Sequence, residues 1–142
     1  MRLVKHLLEG KGGAVHAIEP AKPVLDAIRM MADKYVGALL VMEGTQLVGI
    51  VSERDYARKV ILKGRSSADT PVRDIMSSPV LTVASGDSVH HCMKLVTDKR
   101  VRHLPVVENG KVIGVLSIGD LVKAVIDEQA EQLEHLQRYI AG

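Results

Sequence analysis

Apolar residues recur at helical spacing in two parts of the chain. The first set occupies positions i, i+3, i+4 and i+7, which lie on one face of an α-helix: Val24, Ala27, Ile28 and Met31. The same spacing returns at an offset of 65 residues, at Val89, Cys92, Met93 and Val96. The pattern predicts two amphipathic helices whose apolar faces, including Cys92, are turned towards a core.

Short runs of β-branched and aliphatic residues flank each predicted helix. One run precedes each helix and two follow it, at residues 15–18, 38–42 and 47–52, and again at 80–83, 104–107 and 112–117. Such runs predict strands, and Asn109-Gly110 predicts a tight hairpin turn. Pro23 is expected at the first position of its helix and Asp87 at the N-cap of the other. Further helices are predicted at about 53–62 and about 118–138, so each unit has the order β-α-β-β-α.

The two units form an internal repeat. Residues 15–61 align with 80–126 without a gap, and the stretch GIVSERD (49–55) returns as GVLSIGD (114–120). Identical pairs include Val15/Val80, Val24/Val89, Asp33/Asp98, Lys34/Lys99, Gly49/Gly114, Ser52/Ser117 and Asp55/Asp120. Because three strands and two helices leave apolar surface uncovered, we expect the repeats to pack together about a pseudo-two-fold axis. The predicted fold class is α+β, a mixed α/β arrangement.

The repeats divide the chain into four predicted segments. Residues 1–14 form a lead-in with a short helix that ends in the loop GKGG, residues 15–62 the first repeat, and residues 80–142 the second repeat with an extended C-terminal helix. The connection, 63–79, is expected to be ordered because Val72, Ile75 and Met76 can anchor it in a core.

Composition narrows the class of protein. Of the 142 residues 46% are hydrophobic, which is enough for a compact core. A net charge of +2, no Trp or Phe and only 3 Tyr argue against a nucleic-acid partner. The sequence has no run of about 18 apolar residues and no signal peptide, and its single Cys cannot form an internal disulfide. We therefore expect a cytoplasmic protein without a membrane partner.

The repeated units resemble a known family. Two β-α-β-β-α units that each close in Gly-aliphatic-x-Ser-x-x-Asp, joined by a segment containing DIM and with RHLPVV before the second hairpin, are similar to a tandem pair of cystathionine β-synthase (CBS) domains, or Bateman module. The resemblance covers nearly the whole chain and implies a free-standing CBS-pair protein. It implies an adenosine-nucleotide sensor in which the ligand binds in the cleft between the repeats.

The Ser-x-x-Asp spacing allows two interpretations. As structure, it is a capping box, with Ser52 or Ser117 at the N-cap and Asp55 or Asp120 at the third helical position. As a binding site, the N–H groups of a helix start suit a phosphate oxygen, and a carboxylate suits the two hydroxyls of a ribose. The resemblance assigns the phosphate or ribose to the Ser residues and the ribose diol to the Asp residues.

The resemblance also implies an adenine pocket beside the first strand of each repeat, at residues 16–20 and 82–85. Its candidate residues, which are equally compatible with plain core positions, are His16, Ile18, Pro20, Thr82 and Val83. Candidate phosphate-binding residues are Arg54, Arg102 and His103. The halves differ here, because Arg54 aligns with Gly119 and Ala38 with His103. The two sites are therefore not expected to be equivalent; they could hold two mononucleotides or share one NAD.

Other chemistry has little support. His90, His91 and Cys92 do not converge on one metal ion, because Cys92 lies on the apolar face of its helix and both His residues lie off it. No nucleophile with an adjacent base is present, and GKGG lacks the context of a P-loop. We expect neither a metal, a required cofactor nor catalytic residues.

The C-terminal helix has an apolar stripe longer than its own repeat needs: Leu121, Val122, Val125, Ile126, Ala130, Leu133 and Leu136. The stripe is compatible with packing on its own domain or on a second chain. Since CBS pairs usually assemble through helix faces, the resemblance implies a homodimer. The favoured function is a non-catalytic module that binds AMP, ADP, ATP or NAD and signals to an unidentified protein partner. The alternatives are a purely structural interaction module with the Ser-x-x-Asp pairs as caps, an S-adenosylmethionine sensor, and an enzyme acting on nucleotides.

Overall fold

The computed structural model describes residues 2–11 and 14–141 and divides into two compact units. One unit is Val15–Leu81, which holds the first repeat, the whole connection and residues 80–81. The other joins the described part of Met1–Ala14 to Thr82–Gly142. The N-terminal helix α1 (Val4–Lys11) therefore belongs to the unit of the second repeat, a placement that the repeat pattern did not predict.

The first unit contains a three-stranded sheet. Its elements are β1 (Ala17–Ile18), α2 (Val24–Lys34), β2 (Ala38–Glu43), β3 (Gln46–Ser52) and α3 (Glu53–Tyr56), which continues into a π-helical turn at Ala57–Ile61. Strand β2 is central, parallel to β1 and antiparallel to β3. This order places the start of β2 and the end of β3 side by side, with Ala38 opposite Ser52.

The second unit repeats the plan with a weaker first strand. Its elements are α4 (Val89–Lys99), β4 (His103–Glu108), β5 (Lys111–Ser117) and α5 (Ile118–Ala141). The strand predicted at 80–83 is reduced to one parallel bridge between Val83 and Val106, and the strand predicted at 15–18 shortens to two residues. The hairpin predicted from Asn109-Gly110 is confirmed, with φ of 51° and 77° at the two residues.

The predicted apolar faces are confirmed as core. In α2 the most buried residues are Val24, Ala27 and Met31, and in α4 they are Val89, Cys92 and Val96. The central strand β2 adds Leu39, Leu40 and Val41, all at most 1% exposed. The apolar faces of α2 and α4 are buried against the strands of their units. This packing holds each strand-to-helix junction in place.

Two predicted helix starts are wrong by one residue. The N-cap of α4 is Ser88 rather than Asp87, because the Ser88 hydroxyl accepts the His91 N–H at 3.1 Å. The Asp87 carboxylate instead accepts the Ala84 N–H in the preceding turn. Pro23 is the residue before α2 rather than its first residue.

The connection between the repeats is anchored as predicted. A 3₁₀ turn at Val72–Asp74 places Val72 and Ile75 in the core of the first unit, both 0% exposed, and Met76 packs against that core. At the N-terminus, Gly10 and Lys11 of the predicted GKGG loop belong to α1, and Gly12 and Gly13 lie outside the described residues. No helix in the described part of the chain is both long and apolar enough to span a membrane.

Candidate functional site

Each repeat ends its hairpin in a capped junction between a strand and a helix. At the first junction the Ser52 hydroxyl accepts the Asp55 N–H at 3.2 Å. In return, Oδ2 of Asp55 accepts the Ser52 N–H at 2.9 Å and the Ser52 hydroxyl at 3.0 Å. This is a complete capping box.

The second junction has the same geometry. The Ser117 hydroxyl accepts the Asp120 N–H at 3.1 Å, and Oδ2 of Asp120 accepts the Ser117 N–H at 2.8 Å. In both repeats the first helical N–H donates to a backbone carbonyl before the preceding hairpin: Glu53 to Gly37, and Ile118 to Arg102. The capping interpretation of both Ser-x-x-Asp pairs is therefore confirmed, and it fixes where each carboxylate lies.

A lysine pairs with each of these carboxylates, and the two lysines have different origins. Lys59, one turn further along from Asp55, forms an ion pair with its Oδ1 at 3.1 Å and donates a hydrogen bond to the Ile75 carbonyl at 2.9 Å. At the second junction Lys11 of α1 donates to Oδ2 of Asp120 at 2.6 Å and to the Val115 carbonyl at 2.7 Å. Sequence reasoning missed both lysines. The i,i+4 spacing from Asp55 could have identified Lys59, whereas no local signal indicates Lys11.

At the second junction the pKa values of Asp120 and His103 differ from their ordinary values. Burial by itself would raise the pKa of Asp120, but hydrogen bonds from Lys11 and Ser117 and the charge of Lys11 outweigh it and lower that pKa. Burial lowers the pKa of His103, and the charges of Lys11 and Arg102 lower it further, against an opposing effect of Asp120. Near neutral pH this site holds an ionised carboxylate beside a neutral imidazole.

The carboxylates retain acceptor capacity after capping. A carboxylate offers about four lone-pair positions. At Asp55, both positions on Oδ2 are used by Ser52 and one on Oδ1 by Lys59. At Asp120, Oδ2 takes Ser117 and Lys11, and among the described residues no hydrogen bond reaches Oδ1. Both sites can therefore accept further hydroxyl donors, and Asp120 has the larger open capacity.

The predicted phosphate-binding residues lie near these junctions to different degrees. His103 pairs directly across β4 and β5 with Ser117, and Arg102, whose side chain is exposed, precedes it. Arg54 lies exposed on the first turn of α3, between Ser52 and Asp55. The second junction thus brings together a serine, an aspartate, a histidine and two cationic residues.

The predicted adenine-binding residues are more dispersed. Ile18 and Val83 are 6% and 4% exposed and pack in the cores of their units. Each is paired three positions along β2 or β4 from the residue opposite the capping serine, about 10 Å away at the usual rise per residue. Pro20 continues away from that end, and its carbonyl accepts the Arg73 N–H. His16 lies towards the junction end of the sheet, where its carbonyl accepts the Leu40 N–H, and Thr82 is exposed.

The α4 cluster offers neither a metal site nor a nucleophile. Cys92 is fully buried, and burial, together with the charge of Asp87, raises the pKa of its thiol to about 11. A thiol with so high a pKa is not ionised at neutral pH and is a poor nucleophile. His90 lies 3.8 Å from Glu128, and no group of three metal-ligating side chains occurs within residues 2–11 and 14–141.

Two β-α-β-β-α units with identical capped junctions define a tandem-repeat α/β module, and comparison with known proteins identifies its family. The model of the CBS domain matches residues 14–62 and again 72–127. The chain belongs to the CBS domain family and carries two copies of the domain, which confirms the resemblance seen in the sequence.

CBS domain-containing proteins align with this chain over most of its length. It is 46% identical over 124 residues to the mitochondrial CBS domain-containing protein CBSX3 of Arabidopsis thaliana, an alignment that covers 84% of this chain and 60% of that protein. This chain therefore spans less than two thirds of that relative's length.

Solved CBS structures share its fold. The crystal structure of the CBS domain NE2398 is 50% identical, with a TM-score of 0.84, and covers 88% of this chain and 98% of its own. The crystal structure of CBSX2 in complex with AMP is 28% identical, with a TM-score of 0.67, and covers 81% and 90%. These matches confirm the predicted fold class of mixed α/β CBS repeats.

Proposed function

We propose that this protein is a regulatory module that binds an adenosine nucleotide at its Ser-x-x-Asp junctions. The observation that carries the proposal is the open acceptor capacity of Asp120 and Asp55 at helix starts, on a fold shared with a relative that is known in complex with AMP. An acceptor-only carboxylate matches a ribose diol, in which both hydroxyls donate.

Phosphate would be held by groups around the same junctions. The amides of Arg54 and Gly119, at the second helical position, face the same end of the helix as the capping serines. Arg54 supplies charge at the first junction, and Arg102 and His103 at the second. Backbone groups near His16 and Thr82 are the proposed partners of the adenine ring.

The sites are unequal, and the proposal includes that difference. Position 119 lacks the guanidinium that Arg54 supplies, and position 38 lacks the imidazole of His103. Two mononucleotides bound with different affinity fit this asymmetry, and one NAD shared by both sites is the competing possibility. AMP is the first ligand to test because it is the ligand of CBSX2.

Signalling would occur by population shift rather than by chemistry. A ligand that binds one conformation of the protein more tightly than another shifts the population towards that conformation. The affinity for a protein partner then changes by an amount set by the ligand's difference in affinity for the two conformations. A homodimer is part of the proposal because α5 exposes Ile126, Leu133 and Leu136 by 55–59%. A monomer mass independent of concentration in light scattering would contradict the homodimer. Cytoplasmic location also remains a prediction, since the relative CBSX3 is mitochondrial.

The structural alternative is that both junctions are only helix caps. The two complete capping boxes support this alternative. Ligand-dependent stability separates the two functions. We expect AMP, ADP, ATP or NAD at 100 times its Kd to stabilise the fold by about 2.7 kcal/mol, a rise in Tm of several degrees. Asp55→Asn and Asp120→Asn should each remove part of the rise.

A matched control distinguishes capping from binding. Ser88→Ala removes a helix cap in α4, at a junction with no proposed ligand, and should lower Tm by an amount typical of a lost cap without changing the ligand-induced rise. If millimolar nucleotides leave the Tm of the wild type unchanged, the junctions are caps and the proposal is wrong. S-adenosylmethionine belongs in the same panel, and product analysis after incubation with ATP or NAD tests the enzyme alternative.

A further inference from the structure

The second junction is closed by a residue from the far end of the chain. The Lys11 ammonium group, in the last turn of α1, contacts Asp120 and the Val115 carbonyl together. Side-chain exposure is 39% for Lys11 and 28% for Asp120, so the ion pair lies at the surface of its unit. It occupies the carboxylate to which the proposed function assigns the ribose.

The first junction shows what the second lacks. Lys59 reaches Asp55 from the helix that the same junction begins. The residue 65 positions after Lys59 is Ala124, which is 4% exposed and carries no charge. The second repeat has no lysine of its own at this position, and α1 supplies the cation instead.

Hydrogen-bond counting shows why this matters for a ribose. Oδ2 of Asp120 accepts from both the Ser117 N–H and the Lys11 ammonium, which fills its two lone-pair positions. A diol that donates one hydroxyl to each carboxylate oxygen needs one of these positions. The Ser117 N–H belongs to the capping box, so Lys11 is the donor that can leave.

We propose that Lys11 is an exchangeable counter-ion of Asp120 in the second-repeat site. The ribose of a nucleotide displaces Lys11 when it binds Asp120, and this displacement releases the last turn of α1. The inference rests on the proposed function and adds a regulatory output to it. The exchange is easy because exposed ion pairs contribute little, so a ligand loses only a small factor in affinity to the competition.

The contacts of α1 limit the release to its C-terminal end. At its start, Val4 is fully buried and its N–H donates to the Asp87 carbonyl at 2.9 Å, and the Lys5 N–H donates to the Ser85 carbonyl at 3.0 Å. Arg2 pairs with Glu131 of α5. Ligand binding would therefore loosen one end of α1 while its first turn stays docked.

Lys11→Met tests the proposal, with Lys5→Met as a control that removes an exposed charge from the same helix. Both are made with Asp55→Asn, so that the second site dominates binding. Adenosine is the probe because it has the diol but no phosphate to attract lysine. Calorimetry should show adenosine binding about two- to fivefold tighter in the Lys11 variant, the factor that loss of a surface ion pair allows, and unchanged in the Lys5 variant.

A second measurement detects the release itself. Adenosine should accelerate amide hydrogen exchange at residues 9–11 in the Asp55→Asn protein but not at residues 4–5. In the Lys11 variant exchange should already be fast and insensitive to ligand. The ligand 2′-deoxyadenosine, which lacks the diol, should gain less affinity from Lys11→Met.

The outcomes separate this inference from the proposed function. One outcome is that adenosine binding depends on Asp120 but has equal affinity in the Lys11 and Lys5 variants, with unchanged hydrogen exchange in α1. This result overturns the inference that Lys11 is an exchangeable counter-ion and leaves the proposed function standing. Weaker adenosine binding in the Lys11 variant also overturns it, because Lys11 would then support the site. If neither adenosine nor AMP binds to the wild type or to any variant, both the inference and the proposed function are rejected.

Discussion

At the scale of single residues, the capping role of Asp120 does not conflict with the ribose-binding role that we propose for it. Oδ2 of Asp120 completes the capping box with Ser117, and no hydrogen bond from residues 2–11 or 14–141 reaches Oδ1. Asp55 shows the same division, with one remaining lone-pair position on Oδ1. Repetition of the motif therefore reflects a structural requirement and a proposed chemical one together.

His103 gives a prediction about pH at this scale. Its pKa in the folded protein is lowered by burial and by the charges of Lys11 and Arg102. As pH falls through the ordinary value of 6.5, the unfolded chain takes up a proton before the folded protein does, so His103 makes the fold less stable towards lower pH. We expect His103→Gln to reduce the loss of Tm between about pH 7.5 and 5.5.

Differential scanning calorimetry at several pH values would check this. His135→Gln, on the exposed part of α5, is the control and should leave the pH dependence of Tm as in the wild type. Equal pH dependence in the wild type and the His103 variant would show that His103 titrates alike in the folded and unfolded states.

At the scale of elements, the repeated glycine is explained by what packs on each hairpin. A Cβ at Gly114 would lie 2.5 Å from Cδ2 of Leu8 in α1, and a Cβ at Gly49 would lie 2.5 Å from Sδ of Met76 in the connection. Neither glycine has a positive φ, so close approach rather than backbone conformation requires the missing side chain. Each hairpin is thus packed by the segment that precedes the other repeat in the chain: α1 on the second hairpin and the connection on the first.

Double mutants test this packing. Gly114→Ala should destabilise the protein by roughly 1–3 kcal/mol through overpacking, towards the lower end because the end of the Leu8 side chain can move. Leu8→Ala removes the clashing atoms, so the double variant should be more stable than the sum of the single changes predicts. Urea denaturation measures the coupling, with Gly49→Ala and Met76→Ala as the matched pair in the first unit. Strict additivity would contradict direct packing of Leu8 on Gly114.

Elements were predictable from the sequence where their signals are local. The periodicity of α2 and α4, the Asn109-Gly110 turn and the Ser-x-x-Asp caps depend on residues within a few positions, and the structure confirms them. Ser88 was overlooked because both Asp87 and Ser88 are good N-cap residues, and only the hydrogen bond to His91 distinguishes them.

Other features depend on contacts between distant parts of the chain. The docking of α1 on the second repeat joins residues far apart in the chain, and the Lys11 contact with Asp120 spans 109 positions. No spacing rule links such residues. The sequence therefore predicted a short helix near the N-terminus but not the unit on which that helix packs. For the same reason the burial of Ile18 and Val83 could not be predicted from the sequence, and their place beside an adenine ring stays a prediction.

At the scale of the whole molecule, two CBS repeats carry similar junctions with different charges. The first has Arg54 and Lys59, both from its own helix, and the second has His103 and a lysine from α1. Under the proposed function, this difference in charge would allow nucleotide to bind at one junction while the other differs in affinity or remains empty. Its asymmetry is a property of the residues around the motif rather than of the motif.

Direct binding of AMP tests the central claim. Isothermal titration calorimetry would compare the wild type with the double variant Asp55→Asn/Asp120→Asn, which keeps side-chain acceptors at both caps, and with Ser88→Ala. The account predicts saturable AMP binding by the wild type and Ser88→Ala, and binding by the double variant weakened about tenfold or more by loss of both charged acceptors. AMP binding of equal strength in the double variant, or none in the wild type, would contradict it.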